Sequence, residues 1–297
     1  MNGPVDISIV IPSYNRGRGA AENLAKCLAL QPQAKEIIVV DDHSDVEDED
    51  ILRDFAEKYA CVHYIRLPEN GGQAVSRSIG MATASGKYIV SLDDDSWFLD
   101  DNSLQRVWDR MESLPQCGIL SFAAFSPGQP VKPSENRLML VADHITCGAA
   151  YRREILRRVG YHIAFLRFEG EESDLSLKVM GGGFDVVLDK NIRVFHDYNP
   201  SKRSRESLKR VRQFAVRNDM LRSIIYFQFP SNVYFAVGKA VTHFIFGLKH
   251  GDLWATFRGY GGFIKLLPIA LCKRHTLPNV AMKRYLRLRK NPESYSK

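Results

Sequence analysis

The chain has 297 residues, of which 45% are hydrophobic and 25% charged. This composition excludes an intrinsically disordered protein and supplies enough chain for one large α/β domain with an appendage. The cysteines are widely spaced, without a CxxC pair, which excludes a disulfide framework and a cysteine zinc site and favours reduced thiols in a cytosolic protein. The first residues lack a basic segment and a long apolar stretch, so we expect no signal peptide.

The charge is distributed unevenly along the chain, whose net charge is +7. Residues 1–200 contain 21 Lys and Arg against 30 Asp and Glu, a balance of −9, whereas residues 201–297 contain 20 against 4, a balance of +16. We therefore predict two regions, an acidic domain over residues 1–200 and a basic, aromatic, helical region over residues 201–297. Such a basic region predicts an anionic partner, either a membrane surface or a nucleic acid.

Short apolar runs in the first hundred residues predict four buried strands: Ile7–Ile11, Glu36–Val40, Val62–Arg66 and Tyr88–Leu92. The segments between them have helical periodicity, as in Asp48–Tyr59. This alternation predicts βαβ units and a mostly parallel sheet, which binds its ligand beyond the carboxyl ends of the strands. Polar clusters at residues 12–15, 41–44 and 93–95 should therefore converge on one edge.

After Gly118 the alternation of strands and helices is less regular. A loop is expected over Ser126–Ser134, where Pro, Gly and Ser are frequent. The apolar patterns predict three strands and two helices in this part: strands Leu120–Phe125, Phe184–Leu188 and Ile192–Phe195, and helices Arg153–Val159 and Glu172–Met180.

Three consecutive carboxylates, Asp93, Asp94 and Asp95, directly follow the predicted strand Tyr88–Leu92. Like charges repel at such short range, so the cluster calls for a counter-charge. Magnesium and manganese ions bind one or two carboxylates together with phosphate oxygens, and Asp93 and Asp95 can reach one ion. The structural alternative is an acidic turn that caps the next helix.

Two further segments are candidates for binding a base, a ribose or a phosphate. Asp41 and Asp42 end a predicted strand, where they could hydrogen-bond a base or a ribose, or be part of a solvated loop. Gly71 and Gly72 allow a close backbone approach at a helix N-terminus, which favours anions, and Arg77 on that helix could reach a phosphate. The alternative for the glycines is an ordinary turn.

Glu171 and Glu172 open a predicted helix, and one of them could act as a general base. The helix macrodipole alone also explains acidic residues at this position. His196 follows a predicted strand and could bind a metal, although a lone histidine is more often structural.

Taken together, these residues resemble the inverting glycosyltransferases of family 2, which have the GT-A fold. No single motif is specific, but the ordered set covers about residues 6 to 200: Ile11–Arg16, Asp41–Ser44, Asn70–Arg77, Ala84–Tyr88, Asp93 with Asp95, Gly148-Ala149 with Arg152–Glu154, and Glu171-Glu172 before Asp174–Leu177. Two positions depart from the family pattern. The family usually has Asp where this chain has Glu172, and often Arg-Asn where it has Arg77-Ser78.

The resemblance implies a GT-A fold with a helical C-terminal appendage, and transfer of a sugar from a nucleotide diphosphate donor to an acceptor hydroxyl. It implies that a Mn²⁺ or Mg²⁺ ion is bound by Asp93 and Asp95, with His196 completing the shell. Glu172 would be the base, and Glu171 would shape the acceptor pocket. The implied donor-binding residues are Pro12, Tyr14, Asn15, Asp41, Asp42, Gly71, Arg77 and Asp94.

The resemblance also bears on partners and location. Many relatives build bacterial surface polysaccharide or glycolipid, which implies a glycan or lipid-linked acceptor and no nucleic acid. The longest uncharged run of the basic region, Ser223–Gly238, is too short to span a membrane. Aromatic and basic residues alternate further on, which favours helices in the interface of an anionic membrane, on its cytoplasmic side. The alternative is a helical pair packed on the catalytic domain with a solvated basic face.

Three other functions are compatible with parts of the sequence. A nucleotidyltransferase would have a glycine-rich loop after the first strand, and Pro12–Arg16 is not one. A processive synthase would need transmembrane helices and a Gln-x-x-Arg-Trp motif, and we find neither in the sequence. A non-catalytic nucleotide-sugar-binding or RNA-binding protein remains the alternative, although an RNA-binding protein gains nothing from a carboxylate-rich cleft.

Overall fold

A computed structural model describes residues 3–198 and 204–295 of the chain. Its first half is a run of βαβ units in which strands β1, β2, β3 and β4 are parallel, in the spatial order β4-β1-β2-β3. The strands are β1 (Val5–Ser13), β2 (Ala34–Asp41), β3 (Val62–Arg66) and β4 (Tyr88–Leu92). The helices that connect them are α1 (Gly17–Leu28), α2 (Val46–Lys58) and α3 (Gln73–Thr83).

Both faces of this parallel half are buried, which explains why its strands are nearly continuous apolar runs. Because side chains alternate along a strand, Ile9 and Ile11 of β1 belong to one hydrophobic cluster while Val10 belongs to the cluster on the other face. The four predicted strands are thus confirmed, and their polar carboxyl ends lie along one edge.

The second half of the sheet is mixed rather than parallel. Strand β8 (Gly148–Arg152) lies between β4 and β6 (Cys117–Phe125) and is antiparallel to both, whereas β6 and β9 (Asp185–His196) pair in parallel. The parallel arrangement is therefore unbroken only through the first four strands. The connection from β6 to β8 contains no helix, and an antiparallel partner needs no helical crossover. The remaining strands are β5 (Ser96–Phe98), β6 (Cys117–Phe125), β7 (Leu138–Leu140), β8 (Gly148–Arg152), β9 (Asp185–His196) and β10 (Glu293–Ser294).

Strand β9 is continuous where the sequence predicted two strands. The polar residues at its centre are accommodated by a register shift against β6, between Phe122 and Ala123. The buried carboxylate of Asp189 also accepts hydrogen bonds from Arg110 Nε (2.6 Å) and from the backbone N–H of Asn191 (2.8 Å). A polar interruption in the sequence therefore does not end the strand.

Short helices cover the second half of the sheet. Helix α5 has the predicted bounds, and α6 begins one residue earlier than predicted and is buried along most of its length. The elements are α4 (Ser103–Ser113), α5 (Arg153–Val159), a 3₁₀ turn (Ala164–Leu166) and α6 (Glu171–Gly181).

The basic region folds into four helices, α7 (Arg205–Tyr226), α8 (Ser231–His250), α9 (Leu253–Cys272) and α10 (Asn279–Lys290). Helix α10 packs on α6, and β10 pairs with β7 at the edge of the sheet. Leu221, Leu277 and Leu288 join the same hydrophobic cluster as Leu175 of α6. The predicted domain boundary at residue 200 lies outside the described residues, but on either side of it the two regions share this core.

Asp219 fixes helix α8 against α7. Its carboxylate pairs with Arg222 of its own helix and with two residues of α8, Lys239 (2.9 Å) and His243 (3.1 Å). Burial opposes ionisation, but these cations hold the pKa of Asp219 well below its usual value. The polar side of α8 therefore faces α7, and its apolar side faces outward. Over residues 3–198 and 204–295, no helix is both long and apolar enough to cross a membrane.

Candidate active site

A cleft of about 940 Å³ opens at the carboxyl ends of the parallel strands, where the polar clusters were expected to converge. Its size lies within the usual range for small-molecule sites. Most of the predicted site residues line it: Pro12, Tyr14, Asp42, Asp93, Asp94, Asp95, Glu171, Glu172 and His196. The fold thus brings residues from five separate segments of the sequence to one place.

Three basic side chains surround the acidic cluster. The guanidinium of Arg77 pairs with Asp93 at 2.5 Å, and Arg16 Nη1 lies 2.8 Å from Asp95 and 3.5 Å from Asp94. His196 Nε2 lies 3.2 Å from Asp95 Oδ1 and 3.6 Å from Asp93 Oδ2. These contacts supply part of the counter-charge that three adjacent carboxylates require.

The pKa values show that these basic side chains neutralise the charge of the three carboxylates only in part. Burial, together with the neighbouring carboxylates, raises the pKa of Asp94 to about 7 despite the nearby Arg16. Burial also opposes ionisation of Asp95, but hydrogen bonding to His196 and the charge of Arg16 hold its pKa below the usual value. Burial works against protonation of His196, yet Asp95 and Asp93 raise its pKa. A further positive charge would therefore be stabilised here.

The side chains present fit a divalent cation. One ligand atom each from Asp93, Cys147 and His196 lies within 4.8 Å of the others. Carboxylate and imidazole are suitable ligands for manganese, whereas the thiol is protonated in its present surroundings because burial raises the pKa of Cys147. The Oγ atom of Ser96 connects this set, since it accepts from the N–H of Asp93 (2.7 Å) and donates to the carbonyl of Cys147 (2.8 Å).

Cys147 was not identified from the sequence. It precedes strand β8, which the sequence did not predict as a neighbour of β4, and it has no cysteine partner nearby. The sequence also missed Arg16 as a counter-ion of the acidic cluster. A basic residue directly after the Pro-x-Tyr-Asn turn, opposite an acidic strand end, was the available signal.

Arg77 differs from its predicted role. Its side chain is fully buried behind the cleft, where it contacts Asp93, Ser91 Oγ and the carbonyls of Leu92 and Thr146. It therefore does not reach into the donor space. The structure instead makes Arg77 a residue that positions Asp93, because α3 packs its Arg-bearing face onto the sheet.

Two more predicted donor contacts, Asp41 and Asn15, lie outside the cleft lining. Asp41 is fully buried, and Tyr64, Arg66 and the backbone of Ser44 occupy its carboxylate at 2.7–2.8 Å. Asn15 joins two loops, since its N–H donates to Ser44 Oγ (2.9 Å) and its Oδ1 accepts from the N–H of Asp45 (2.8 Å). Both residues therefore support the wall of the cleft from behind.

Gly71 is bound by Asp42 and does not line the cleft. The carboxylate of Asp42 accepts the N–H of Gly71 at 2.8 Å and that of Gly72 at 2.9 Å. Gly72 caps α3 with a φ of +89°, a conformation that favours glycine. Asp42 thus fixes the glycine turn, and Gly72 lines the cleft in place of Gly71.

Helix α6 presents the two glutamates at its N-terminus. Glu172 is half-buried, with its Oε1 3.4 Å from Thr146 Oγ1, whereas Glu171 is buried and its Oε2 has no hydrogen-bond partner among the described residues. Burial raises the pKa of both side chains, and the charge of Glu172 adds to the effect on Glu171. A raised pKa suits a carboxylate that must accept a proton near neutral pH.

The segment before α6 is held in an unusual backbone conformation. Arg167 and Glu169 have positive φ angles of 55° and 66°, and Gly170 has a φ of 83°. The side chain of Asn218 on α7 stabilises these turns by donating to the carbonyls of Leu166, Phe168 and Glu169. Strained backbone that is held by its surroundings is typical of functional sites.

Residues 8–160 match the profile of Glycosyl transferase family 2. The chain belongs to this family. An uncharacterized glycosyltransferase of Haemophilus influenzae is 35% identical over 101 residues, which cover 34% of this chain and 40% of that protein. The putative teichuronic acid biosynthesis glycosyltransferase TuaG of Bacillus subtilis is 34% identical over 95 residues, which cover 32% of this chain and 38% of that protein. The matches thus span well under two thirds of either relative.

The fold is that of solved GT-A glycosyltransferases. The mannosyltransferase PcManGT from Pyrobaculum calidifontis, solved with GDP-Man and Mn²⁺, superposes with a TM-score of 0.60 over 97% of this chain and 84% of that chain, at 16% identity. This likeness shows the fold alone. Together with the family match it confirms the predicted family and the predicted GT-A fold with a helical C-terminal region.

Proposed function

We propose that this enzyme is a metal-dependent, inverting glycosyltransferase that moves a sugar from a nucleotide diphosphate to an acceptor hydroxyl. The observation that carries the proposal is the meeting of Asp93, Asp95, His196 and Glu172 in one cleft of a family 2 fold. The acidic lining also disfavours the alternative of an RNA-binding protein, because carboxylates repel a phosphate backbone unless a cation intervenes.

The donor occupies the part of the cleft nearest the strand ends. Tyr14 is half exposed and offers a ring on which a base can stack, while Pro12 and Asp42 form the adjoining wall. Asp93 and His196, with Asp95 beside them, are the residues that would hold the cation. A divalent ion supplies positive charge against the leaving diphosphate when it is bound. The complex of PcManGT with GDP-Man and Mn²⁺ supports this arrangement.

Glu172 carries the proton transfer. The acceptor oxygen attacks the anomeric carbon, the bond from that carbon to the diphosphate oxygen breaks, and the hydroxyl proton passes to Glu172. A single displacement of this kind inverts the anomeric configuration. Glu171 is buried beside Glu172 with a raised pKa, so it remains protonated over a wider pH range and shapes the pocket.

The first test concerns the metal. A nucleotide diphosphate with Mn²⁺ should raise the melting temperature of the protein, because a ligand that binds only the folded state stabilises it. Asp95→Ala should abolish that shift. Asp54→Ala removes a carboxylate from the exposed side of α2 and should leave the shift intact. An unchanged shift in Asp95→Ala would remove Asp95 from the metal assignment.

The acceptor is proposed to belong to bacterial surface polysaccharide or glycolipid synthesis. TuaG is named for teichuronic acid biosynthesis, and the shape of the helical region supports an acceptor at a membrane. Helix α8 exposes a stripe of apolar residues spaced three or four apart, and α9 exposes a second stripe: Val233, Val237, Val241, Phe244 and Leu248, then Trp254, Phe257, Ile264 and Leu271.

Exposed apolar stripes with interspersed Lys and Arg are typical of helices that lie in a membrane interface. Exposed Lys249, Arg258, Lys265 and Lys273 are close to these stripes along the chain. The inner sides of α8 and α9 pack on α7, so the helices are at once part of the protein core and open to a lipid surface. We therefore propose that the enzyme is peripheral on the cytoplasmic side of the membrane.

The membrane assignment predicts a salt-dependent association. The full chain should sediment with anionic vesicles at low salt and be released as the salt concentration rises. The double variant Val237→Glu/Ile264→Glu should lose this binding, because both side chains are more than half exposed, at 57% and 68%. Val280→Glu makes the same change on α10, at a residue 79% exposed, and should still sediment. Equal binding to neutral vesicles would contradict an electrostatic contribution to membrane binding.

A further inference from the structure

A second cavity, of about 630 Å³, lies between the N-terminal turns of α7 and α9. Four cationic side chains and two aromatic rings line it, namely Arg205, Lys209, Arg210, Arg258, Phe214 and Trp254. One carboxylate, Glu206, lies on the same wall. We call this cavity the basic pocket. Arg210 and Phe214 also line the catalytic cleft, so the two cavities are neighbours along α7.

Within the described residues, 3–198 and 204–295, the cations of the basic pocket have no carboxylate partner in an ion pair. The indole of Trp254 is 68% exposed, and the guanidinium carbon of Arg258 is 6.0 Å from its ring centroid. Four like charges around one hollow repel each other, and an anionic ligand relieves that repulsion.

The basic pocket lies on the acceptor side of the cleft. Hydrogen bonds join α7 to the segment that precedes α6, the helix that carries Glu172. Asn218 donates to three carbonyls of that segment, and Arg217 donates to the carbonyl of Leu166 at 2.8 Å. Phe214 is in edge contact with Phe168 of the same segment, with ring centroids 6.2 Å apart. The base must touch the acceptor hydroxyl, so α7 flanks the acceptor rather than the nucleotide.

We propose that the basic pocket binds a phosphate or diphosphate group of the acceptor. This inference rests on the proposed function, since it identifies the chemical class of the molecule that approaches Glu172. Arginine is suited to phosphate because its planar group donates two parallel hydrogen bonds, and the exposed Trp254 provides an apolar surface for the chain or sugar next to the phosphate. An uncharged glycan would leave the four cations without a partner.

Inorganic pyrophosphate without divalent metal is the probe for this pocket. With EDTA present the acidic cluster of the cleft repels the anion, so calorimetric binding reports the basic pocket. Lys209→Gln/Arg258→Gln should weaken binding about tenfold or more, because two hydrogen bonds to charged groups are lost. Lys265→Gln/Lys283→Gln removes the same charge from exposed positions outside the pocket and should bind like the wild type. Equal weakening in both double variants would overturn the proposal.

Two further arms separate this proposal from its alternatives. Pyrophosphate binding should persist when the cleft is saturated with a nucleotide diphosphate and Mn²⁺, and its loss there would assign the anion to the donor site and overturn the proposal.

Phosphatidylcholine vesicles containing phosphatidic acid test the bilayer headgroup as the source. Binding to the vesicles alone, without binding of pyrophosphate, would overturn the acceptor-phosphate assignment. The nucleotide-induced thermal shift should be unchanged in Lys209→Gln/Arg258→Gln, so a failure here is distinguishable from a failure of the proposed enzyme function.

Discussion

Glu172→Gln should lower the turnover number by roughly 10²-fold or more, while donor affinity stays near that of the wild type. Glutamine keeps the size of the side chain and its contact with Thr146, but it cannot accept the proton of the acceptor. The base acts mainly in the transition state, so the loss should appear in kcat rather than in the nucleotide-induced thermal shift. Initial rates of nucleotide diphosphate release, with donor and acceptor saturating, measure the effect.

Two matched variants accompany this prediction. Glu171→Gln should cost less, because Glu171 is buried and already favours its neutral form, which glutamine imitates. Glu172→Asp restores the residue that is usual in the family and should retain measurable activity. If Glu172→Gln transfers sugar at close to the wild-type rate, the base lies elsewhere, with Glu171 and Asp174 as the next candidates.

The raised pKa of Glu172 also predicts a pH profile. The base must be deprotonated to work, and burial shifts its pKa upward, so kcat/KM should fall on acidification at a higher pH than an ordinary glutamate would give. Glu172→Asp moves the carboxylate and should shift that acidic limb. A profile flat down to the usual pKa of glutamate would contradict burial as the controlling feature.

Arg77→Met should destabilise the protein by about 3–5 kcal/mol, because it leaves the carboxylate of Asp93 without its buried counter-charge. Urea unfolding followed by circular dichroism measures the free energy of unfolding. The double variant Arg77→Met/Asp93→Asn should recover part of the loss, since the uncompensated charge is then removed. Arg53→Met breaks ion pairs on the exposed side of α2 and should cost only about 0–1 kcal/mol. A small effect of Arg77→Met would mean that Asp93 is held by other contacts.

The parallel half of the fold could be predicted because its strands are buried on both faces. Such strands are short, nearly continuous apolar runs, and the structure places β3 and β4 at the predicted residues. The antiparallel half could not be predicted in the same way. Strand β8 consists largely of small residues, Gly148, Ala149 and Ala150, and its pairing with β4 depends on contacts distant in sequence.

The location of candidate-site residues was predictable where residue type and strand end coincide: Asp42, Asp93 and Asp95 all lie at the cleft. The role of Arg77 was not, because a charged residue on a glycine-rich helix suggests a phosphate contact, and only the packing of α3 shows that its side chain is enclosed. Glu172 lies in the cleft as expected, but its raised pKa depends on neighbours that the sequence does not reveal. The basic pocket combines α7 and α9, which are far apart along the chain.

The packing of α10 on α6 has a consequence for the order in which the protein matures. Ribosomes make the N-terminal part first, and domains generally fold as their segments emerge. Helix α6, which presents Glu172, is made long before Leu277, Tyr285 and Leu288, which complete its hydrophobic surroundings. Strands β1 to β4 can therefore form early, whereas α6, which carries the proposed base, gains its final support only after synthesis has passed residue 288. In a nascent chain, the strands on the proposed donor side would fold first, and the surroundings of Glu172 would be completed last.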